Sequence, residues 1–221
     1  MSYTQAYLDN YKTEFESHHS MVRKNNHIRR NADPEYWEIL LEPIKSNPQK
    51  WEDKVAFDFG CGGGRNLKNL LDLANWKEVH GCDISKPNAE FAEEWVNSIY
   101  PNKVKAWESN GKDIQPTNPN TYDFIMSSVV LQHISNYSVR FNILTDMYSS
   151  LKEGGIISLH YLDMSESAAY YDNSLNYQNC RVENKNYLID DFQKIGFKEI
   201  TCELGVDYFT KERSYYIKAT K

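Results

Sequence analysis

The segment Asp58-Phe59-Gly60-Cys61-Gly62-Gly63-Gly64 constrains the fold of this chain more than any other. It closes an apolar run beginning at Val55, which reads as a buried strand. It precedes Asn66–Leu73, whose Leu67, Leu70 and Leu71 fall on one helix face. Glycines between a strand and a helix admit positive φ and let a ligand reach the backbone with no Cβ in the way. In an open α/β sheet ligands bind beyond the carboxyl ends of the strands, so a loop of this kind faces the binding crevice.

The chain beyond Lys54 continues the alternation. Strands are expected at Val79–Ile84, Val104–Trp107, Tyr122–Val130 and Ile156–Tyr161, and a closing pair at Ile200–Leu204 and Tyr215–Ala219. Between them fall a helix over Asn88–Ile99, with Ser85 as N-cap and Pro87 in its first turn, and a helix over Ser138–Leu151 closed by Gly154-Gly155. A last helix over Tyr187–Ile195 ends at Gly196. Strand and helix in alternation imply a mostly parallel sheet covered on both faces.

The first fifty residues read differently, as a helical and polar cap. Tyr3, Tyr7, Tyr11 and Phe15 recur every four residues on one helix face, either as a lid or as an ordinary packing face. Asp33-Pro34 opens a second helical run through Trp37, Leu40 and Leu41, which Pro43 and Pro48 break. Two regions follow: a cap over 1–50 and a main domain over 51–221. The polar, tyrosine-rich stretch 162–186 is an insertion of the size that serves as a lid or binding loop.

Composition narrows the partners. The 221 residues are 40% hydrophobic and 14% aromatic, enough for a substantial core. The formal charge is −6 and the sequence pI about 5.6, so a small molecule, or less readily a peptide or protein, is favoured over a phosphate backbone. One dense basic cluster, Arg23-Lys24-Asn25-Asn26-His27-Ile28-Arg29-Arg30, reads as a solvated surface before capture of an anionic substrate or RNA. Cys61, Cys82, Cys180 and Cys202 form no C-x-x-C pair and read as reduced, buried thiols. His18-His19 lacks metal-ligand spacing, and no metal is expected. Without a signal-like leader or an apolar stretch of membrane length, a cytoplasmic protein with no membrane partner is expected.

The second half of the ligand signal is Asp83, nineteen positions after Gly64 at the end of the next strand. An acid there accepts hydrogen bonds from a ribose diol, so loop and acid together indicate a nucleoside-containing cofactor. The dinucleotide spacing G-x-G-x-x-G fails, since position 65 is Arg when counted from Gly60 and position 67 is Leu when counted from Gly62. A P-loop Gly-Lys-Ser/Thr is missing as well.

Asp58 to Gly64 resembles the first motif of class I, S-adenosylmethionine-dependent methyltransferases of the small-molecule type, an acid followed by G-x-G-x-G. Asp83 matches the acid of their second motif. Asn110-Gly111-Lys112-Asp113-Ile114 resembles the adenine-side segment after the third strand. Tyr122–Ile134 is similar to the fourth-strand motif, and Leu151-Lys152-Glu153-Gly154-Gly155 to the turn before the fifth strand. The resemblance implies a Rossmann-like sheet of seven strands with helices on both faces, the last strand antiparallel. It also implies S-adenosyl-L-methionine as cofactor and S-adenosyl-L-homocysteine as product. The loop, with Gly60, Cys61, Gly62 and Gly64, would cradle the amino-acid end of the cofactor, with Asp58 acting on its ammonium group. Asp83 and Ile84 would hold the ribose, Asn110, Gly111, Asp113 and Ile114 would border the adenine, and Ser127 would complete the site. The adenine contact falls to Asp113, or to Asn110 if the loop is shifted by that much.

His133, just past the fourth strand, is the main candidate for an acceptor-side catalytic group; contact without proton transfer and simple packing are the alternatives. Tyr161 at the end of the fifth strand is the second candidate. Exocyclic base amines are expected to be excluded as acceptors, because Ser127-Ser128-Val129-Val130 stands where such enzymes carry Asp or Asn-Pro-Pro-aromatic. The expected activity is methyl transfer to an oxygen or nitrogen of a small molecule. A non-catalytic cofactor-binding module of the same fold and an NAD-dependent oxidoreductase are the other classes.

Overall fold

Seven strands form one twisted sheet in the order β3-β2-β1-β4-β5-β7-β6. The computed structural model describes residues 39–115, 119–162, 167–173, 179–206 and 213–221. The strands are β1 (Val55–Phe59), β2 (Glu78–Asp83), β3 (Val104–Glu108), β4 (Tyr122–Ser127), β5 (Leu151–Leu162), β6 (Lys198–Val206) and β7 (Arg213–Thr220). The first five run parallel, while β7 lies antiparallel between β5 and β6. The helices are α1 (Glu42–Lys45), α2 (Arg65–Leu73), α3 (Lys86–Asn97), α4 (Tyr137–Ser150) and α5 (Lys185–Ile195).

Parallel strands buried on both faces need apolar side chains on both faces, and the strands here supply them. On one face Phe57, Ile125, Ile157 and Leu159 pack with Leu144 and Met147 of α4 and Leu188 and Phe192 of α5. On the other, Ala56, Val79, Phe124 and Met126 meet Leu67, Leu70, Ala92 and Val96 of α2 and α3, with Trp51 and Trp76. Each fully buried large apolar side chain contributes about 1.5–3 kcal/mol relative to exposure. Leu40, Leu41 and Ile44 join the second core, and Ser158 donates to the Leu40 carbonyl at 2.7 Å.

At the amino edge of the sheet the chain is pinned by charge. The Asp123 carboxylate accepts from the Val55 backbone N–H at 2.9 Å and from Lys152 at 2.7 Å. Helix ends follow local chemistry: the Asn136 side chain accepts from the Val139 N–H at 3.0 Å to open α4, and Gly196 at φ 113° closes α5.

Several boundaries differ from the sequence reading. The fourth strand stops at Ser127 rather than Val130, because the chain must turn there to close over the glycine loop. Gly154 and Gly155 do not close α4: Leu151 is already extended, and both glycines lie within β5. Ser85 occupies the N-cap position of α3 without making a side-chain cap. Pro43 sits in the first turn of α1 and Pro48 in a 3-10 turn, so neither simply interrupts a helix. The tyrosine stripe at Tyr3–Phe15, the start of the second run at Asp33–Trp37, the basic cluster Arg23–Arg30 and the His18-His19 pair lie outside the described residues.

Candidate active site

The strand order reverses direction between β1 and β4, which opens a crevice at their carboxyl ends. Registers align the ends there: Phe59 pairs with Cys82 and Ser127, and Asp83 with Glu108. The glycine loop leaves β1 at this point. The Gly60 and Cys61 N–H groups both donate to the Cys82 carbonyl, at 2.8 and 2.9 Å, which folds the loop back over β2. Gly60 has φ 76°, and a Cβ there would fall 2.3 Å from Val130 Cγ2, so no other residue fits. Gly62 has φ 50° and nothing within 4 Å of an added Cβ, leaving its backbone open to approach. Gly64 precedes the first residue of α2. Cys61 is buried beneath the loop, and burial pushes its thiol well above the usual range.

Two acids stand under this loop. Asp58 is fully buried at the end of β1, and neither carboxylate oxygen has a hydrogen-bond partner in the protein. Burial raises its pKa from 3.8 to about 8; the nearby Arg65 charge and Asn66 amide offset part of that, and the Asp83 charge adds to it. A buried carboxylate without partners costs several kcal/mol in a low-polarity setting, roughly 1–3 kcal/mol at the least. A cationic ligand group would relieve that cost, so this site fits an ammonium. Asp83 accepts from the Gly62 N–H through Oδ2 and from the Ser85 N–H through Oδ1, each at 2.9 Å. Burial raises its pKa too, opposed by those two N–H groups and the Asn88 side chain. The carboxylate offers about four lone-pair sites, so beyond these three donors it retains capacity for a ribose hydroxyl.

Past β3, Asn110 organises a tight turn. Its Oδ1 accepts from the Lys112 and Asp113 N–H groups at 2.8 and 3.2 Å, and its amide donates to Asp113 Oδ1 at 2.7 Å. Gly111 takes φ 72°, and its N–H donates to Ser109 Oγ. Ile114 is fully buried, with its N–H on Asp146 at 2.8 Å, while Ile84 is half-buried against the same core. Ser127 is buried and donates to the Phe59 carbonyl at 2.8 Å, tying β4 to β1 beneath the crevice.

The chain after β4 is strained. Val129 has φ 59°, unusual for a β-branched residue and worth roughly 1–3 kcal/mol of strain. This turn drives Val130 against Gly60 and leads into a 3-10 turn, Leu131–His133. His133 Nδ1 lies 2.8 Å from Asn179 Oδ1, and the Gln132 amide nitrogen lies 3.4 Å from His133 Nε2. Tyr161 is fully buried in the core, and burial pushes its pKa far up. Its hydroxyl makes no hydrogen bond among the described residues.

The stretch 162–186 contributes buried packing where it is described. Ala168, Tyr170, Cys180 and Val182 are buried, and Ala168 pairs with Cys180 in a single parallel bridge. Arg140, 1% exposed, donates to the Ile134, Ser135 and Tyr170 carbonyls and lies 5.0 Å from the Tyr170 ring centre. Buried Asp191 accepts from the Tyr137 and Tyr170 hydroxyls, both at 2.9 Å. Arg140, Asp191, Asn179 and Val129 were not singled out from sequence, since only long-range partners give them a role. Among the described residues no cluster of three or more His, Cys, Asp or Glu could hold a metal, and no helix is long and apolar enough to cross a membrane.

Residues 57–157 match the family model described as "Methyltransferase domain". Over 119 residues the chain is 28% identical to the tRNA (carboxymethyluridine(34)-5-O)-methyltransferase of Saccharomyces cerevisiae, covering 54% of this chain and 38% of that protein. Among solved structures it resembles Haemonchus contortus phosphoethanolamine N-methyltransferase 2 in complex with phosphomonomethylethanolamine and S-adenosylhomocysteine. That match has a TM-score of 0.71 and 16% identity, and covers all of this chain and 60% of the other. It also resembles a chain from the complex of the Haloferax volcanii Trm112 methyltransferase activator with its partner, with a TM-score of 0.67, 14% identity, and coverage of 94% and 97%. The chain thus spans less than two thirds of the yeast and nematode proteins. Sheet order, glycine loop and matched segment agree: residues 57–157 are similar to a methyltransferase domain, and the fold is that of the solved methyltransferases it resembles.

Proposed function

We propose that this chain transfers a methyl group from S-adenosylmethionine to an oxygen or nitrogen of a small molecule. The observation that carries the reading is Asp58: a fully buried carboxylate with no hydrogen-bond partner, under a glycine loop whose Gly62 is open to a ligand. Bound there, the cofactor supplies a methyl group already activated on a sulfonium. Asp58 would offset its ammonium, Gly60, Cys61, Gly62 and Gly64 would give the backbone cradle, and Asp83 with Ile84 would hold the ribose. Asn110, Gly111, Asp113 and Ile114 would border the adenine, with Ser127 fixing the floor between β1 and β4. The Asn110 side chain is already engaged with Asp113, so the two serve as one unit. His133 Nε2 would take the proton that the acceptor releases on methylation; Tyr161 would support the wall by packing.

Alignment and exclusion of water are the protein's main contributions, since oriented reactants gain up to ~7–11 kcal/mol in favourable models. A positioned base adds ~10²–10⁴-fold in rate.

The yeast relative's name favours a second acceptor class, a nucleoside in tRNA; the charge of −6 argues against it. The first test is calorimetric titration with S-adenosylmethionine and S-adenosylhomocysteine on the wild type and on Asp83→Ala. Micromolar binding that collapses in the variant is the expected result, and a wild type that binds neither ligand overturns the reading. Methyl-group incorporation into tRNA but into no small-molecule fraction would move the acceptor to the second class.

A further inference from the structure

We infer that Asn179 is a positioning residue, which holds His133 in the tautomer protonated on Nδ1 and so leaves Nε2 as the proton acceptor. The inference rests on the reading of His133 given above.

The contact is short, 2.8 Å from His133 Nδ1 to Asn179 Oδ1, and joins residues 46 positions apart. An amide oxygen can only accept, so Nδ1 must carry the proton. The Gln132 amide nitrogen lies 3.4 Å from Nε2, a long contact that leaves the 2.8 Å bond to Asn179 as the one that sets the tautomer. Hydrogen bonding at one imidazole nitrogen sets the role of the other.

Both partners of the contact are held by backbone. On the Asn179 side, its carbonyl accepts from the Ala168 N–H at 2.8 Å, and the next residue's N–H donates to the Gln132 carbonyl at 2.7 Å. The Arg181 N–H closes the frame on the Ala168 carbonyl at 3.0 Å. On the His133 side, its N–H donates to the Val130 carbonyl at 2.9 Å, and Arg140 clamps the Ile134 and Ser135 carbonyls just beyond. The described part of the 162–186 stretch thereby carries a side chain to the fourth-strand turn.

The chemistry follows. As the acceptor's oxygen or nitrogen forms its bond to the methyl carbon, the carbon–sulfur bond breaks and its electron pair stays on sulfur. The acceptor's proton moves to His133 Nε2, giving an imidazolium whose Nδ1–H already donates to Asn179. A neutral amide orients the ring without the pull of a carboxylate, which would hold the proton on the ring between turnovers.

The test uses the full chain labelled with nitrogen-15 at its six histidines, with S-adenosylhomocysteine present. Two-bond proton–nitrogen correlations report each ring's tautomer, and His133→Gln identifies the His133 signal. In the wild type His133 should show the Nδ1–H pattern, and in Asn179→Ala it should move to the Nε2–H pattern. Signals of the other histidines should hold still, and S-adenosylhomocysteine affinity should stay within about twofold. Asn179→Asp should keep the Nδ1–H pattern and raise the ring's titration midpoint, because a carboxylate at this distance favours the imidazolium. An Nε2–H pattern in the wild type, an unchanged tautomer in Asn179→Ala, or an unmoved midpoint in Asn179→Asp overturns the inference. A wild type that fails to bind S-adenosylhomocysteine overturns the proposed function instead, and the tautomer measurement then stands alone.

Discussion

The two halves of the sheet's carboxyl edge are held together in different ways. On the β1–β2–β3 side the loops are fixed mainly by backbone: Gly60 and Cys61 on the Cys82 carbonyl, Ser109 N–H on the Asp83 carbonyl, Gly62 and Ser85 N–H groups on Asp83. On the β4–β5 side the ties are long-range and run largely through side chains. Arg140 reaches Tyr170, Tyr137 and Tyr170 reach Asp191, Asn136 reaches the Asn173 carbonyl at 3.1 Å, and His133 reaches Asn179. A backbone-built site tolerates little change in sequence because positive φ and close approach admit only glycine. A side-chain-built site can be re-lined while the fold stays the same, which suits the half proposed to receive the acceptor.

The harshest way to break this contrast is Gly60→Ala. Its φ and the 2.3 Å approach to Val130 predict a loss of about 2–4 kcal/mol in stability with cofactor binding abolished, read by thermal melting and calorimetry. The same substitution at Gly62, which has open space, should strain the loop and spare the Val130 packing, so its melting temperature should fall less.

Asp58→Asn separates binding from stability. Asp58 must take up a proton for the free protein to fold at neutral pH, so its replacement by an amide should stabilise that state by about 1–2 kcal/mol, while affinity for S-adenosylmethionine drops at least about tenfold. A variant that loses stability and keeps affinity would show that Asp58 has a structural role only.

A smaller effect sharpens the same point through pH. The folded pKa of Asp58, about 8, lies above its ordinary 3.8, so the folded state binds the extra proton. Stability attributable to Asp58 is therefore fully present below about pH 4 and is lost as pH rises through 8. Ligand binding needs the ionised form, so affinity for S-adenosylmethionine should climb between pH 6 and 8 by no more than about tenfold per unit. Methylthioadenosine, which lacks the amino-acid end, should show no such climb; an equal slope for both ligands would remove Asp58 from the site.

The smallest effect belongs to the β4–β5 side. Tyr161→Phe deletes a buried hydroxyl with no partner, so stability should change by less than about 1 kcal/mol and cofactor affinity should not move. A large loss of turnover there would return Tyr161 to the catalytic group.

The sequence by itself determined the alternation of elements, which rests on apolar period and on glycine conformation. The seven-strand sheet with its antiparallel end followed from the family resemblance and is the sheet observed. The errors of the sequence reading were local, at Val130, at Ser85 and at Gly154-Gly155, where tertiary demands overrode propensity. The turn after Ser127 is imposed by the packing of Val130 on Gly60, a contact between segments about 70 positions apart. Only the tertiary structure decided that Asp58 lacks a hydrogen-bond partner, that Tyr161 points into the core, and that Asn179 meets His133. Those facts depend on which distant side chains come together, and no spacing along the chain encodes such a meeting when neither partner needs a special backbone.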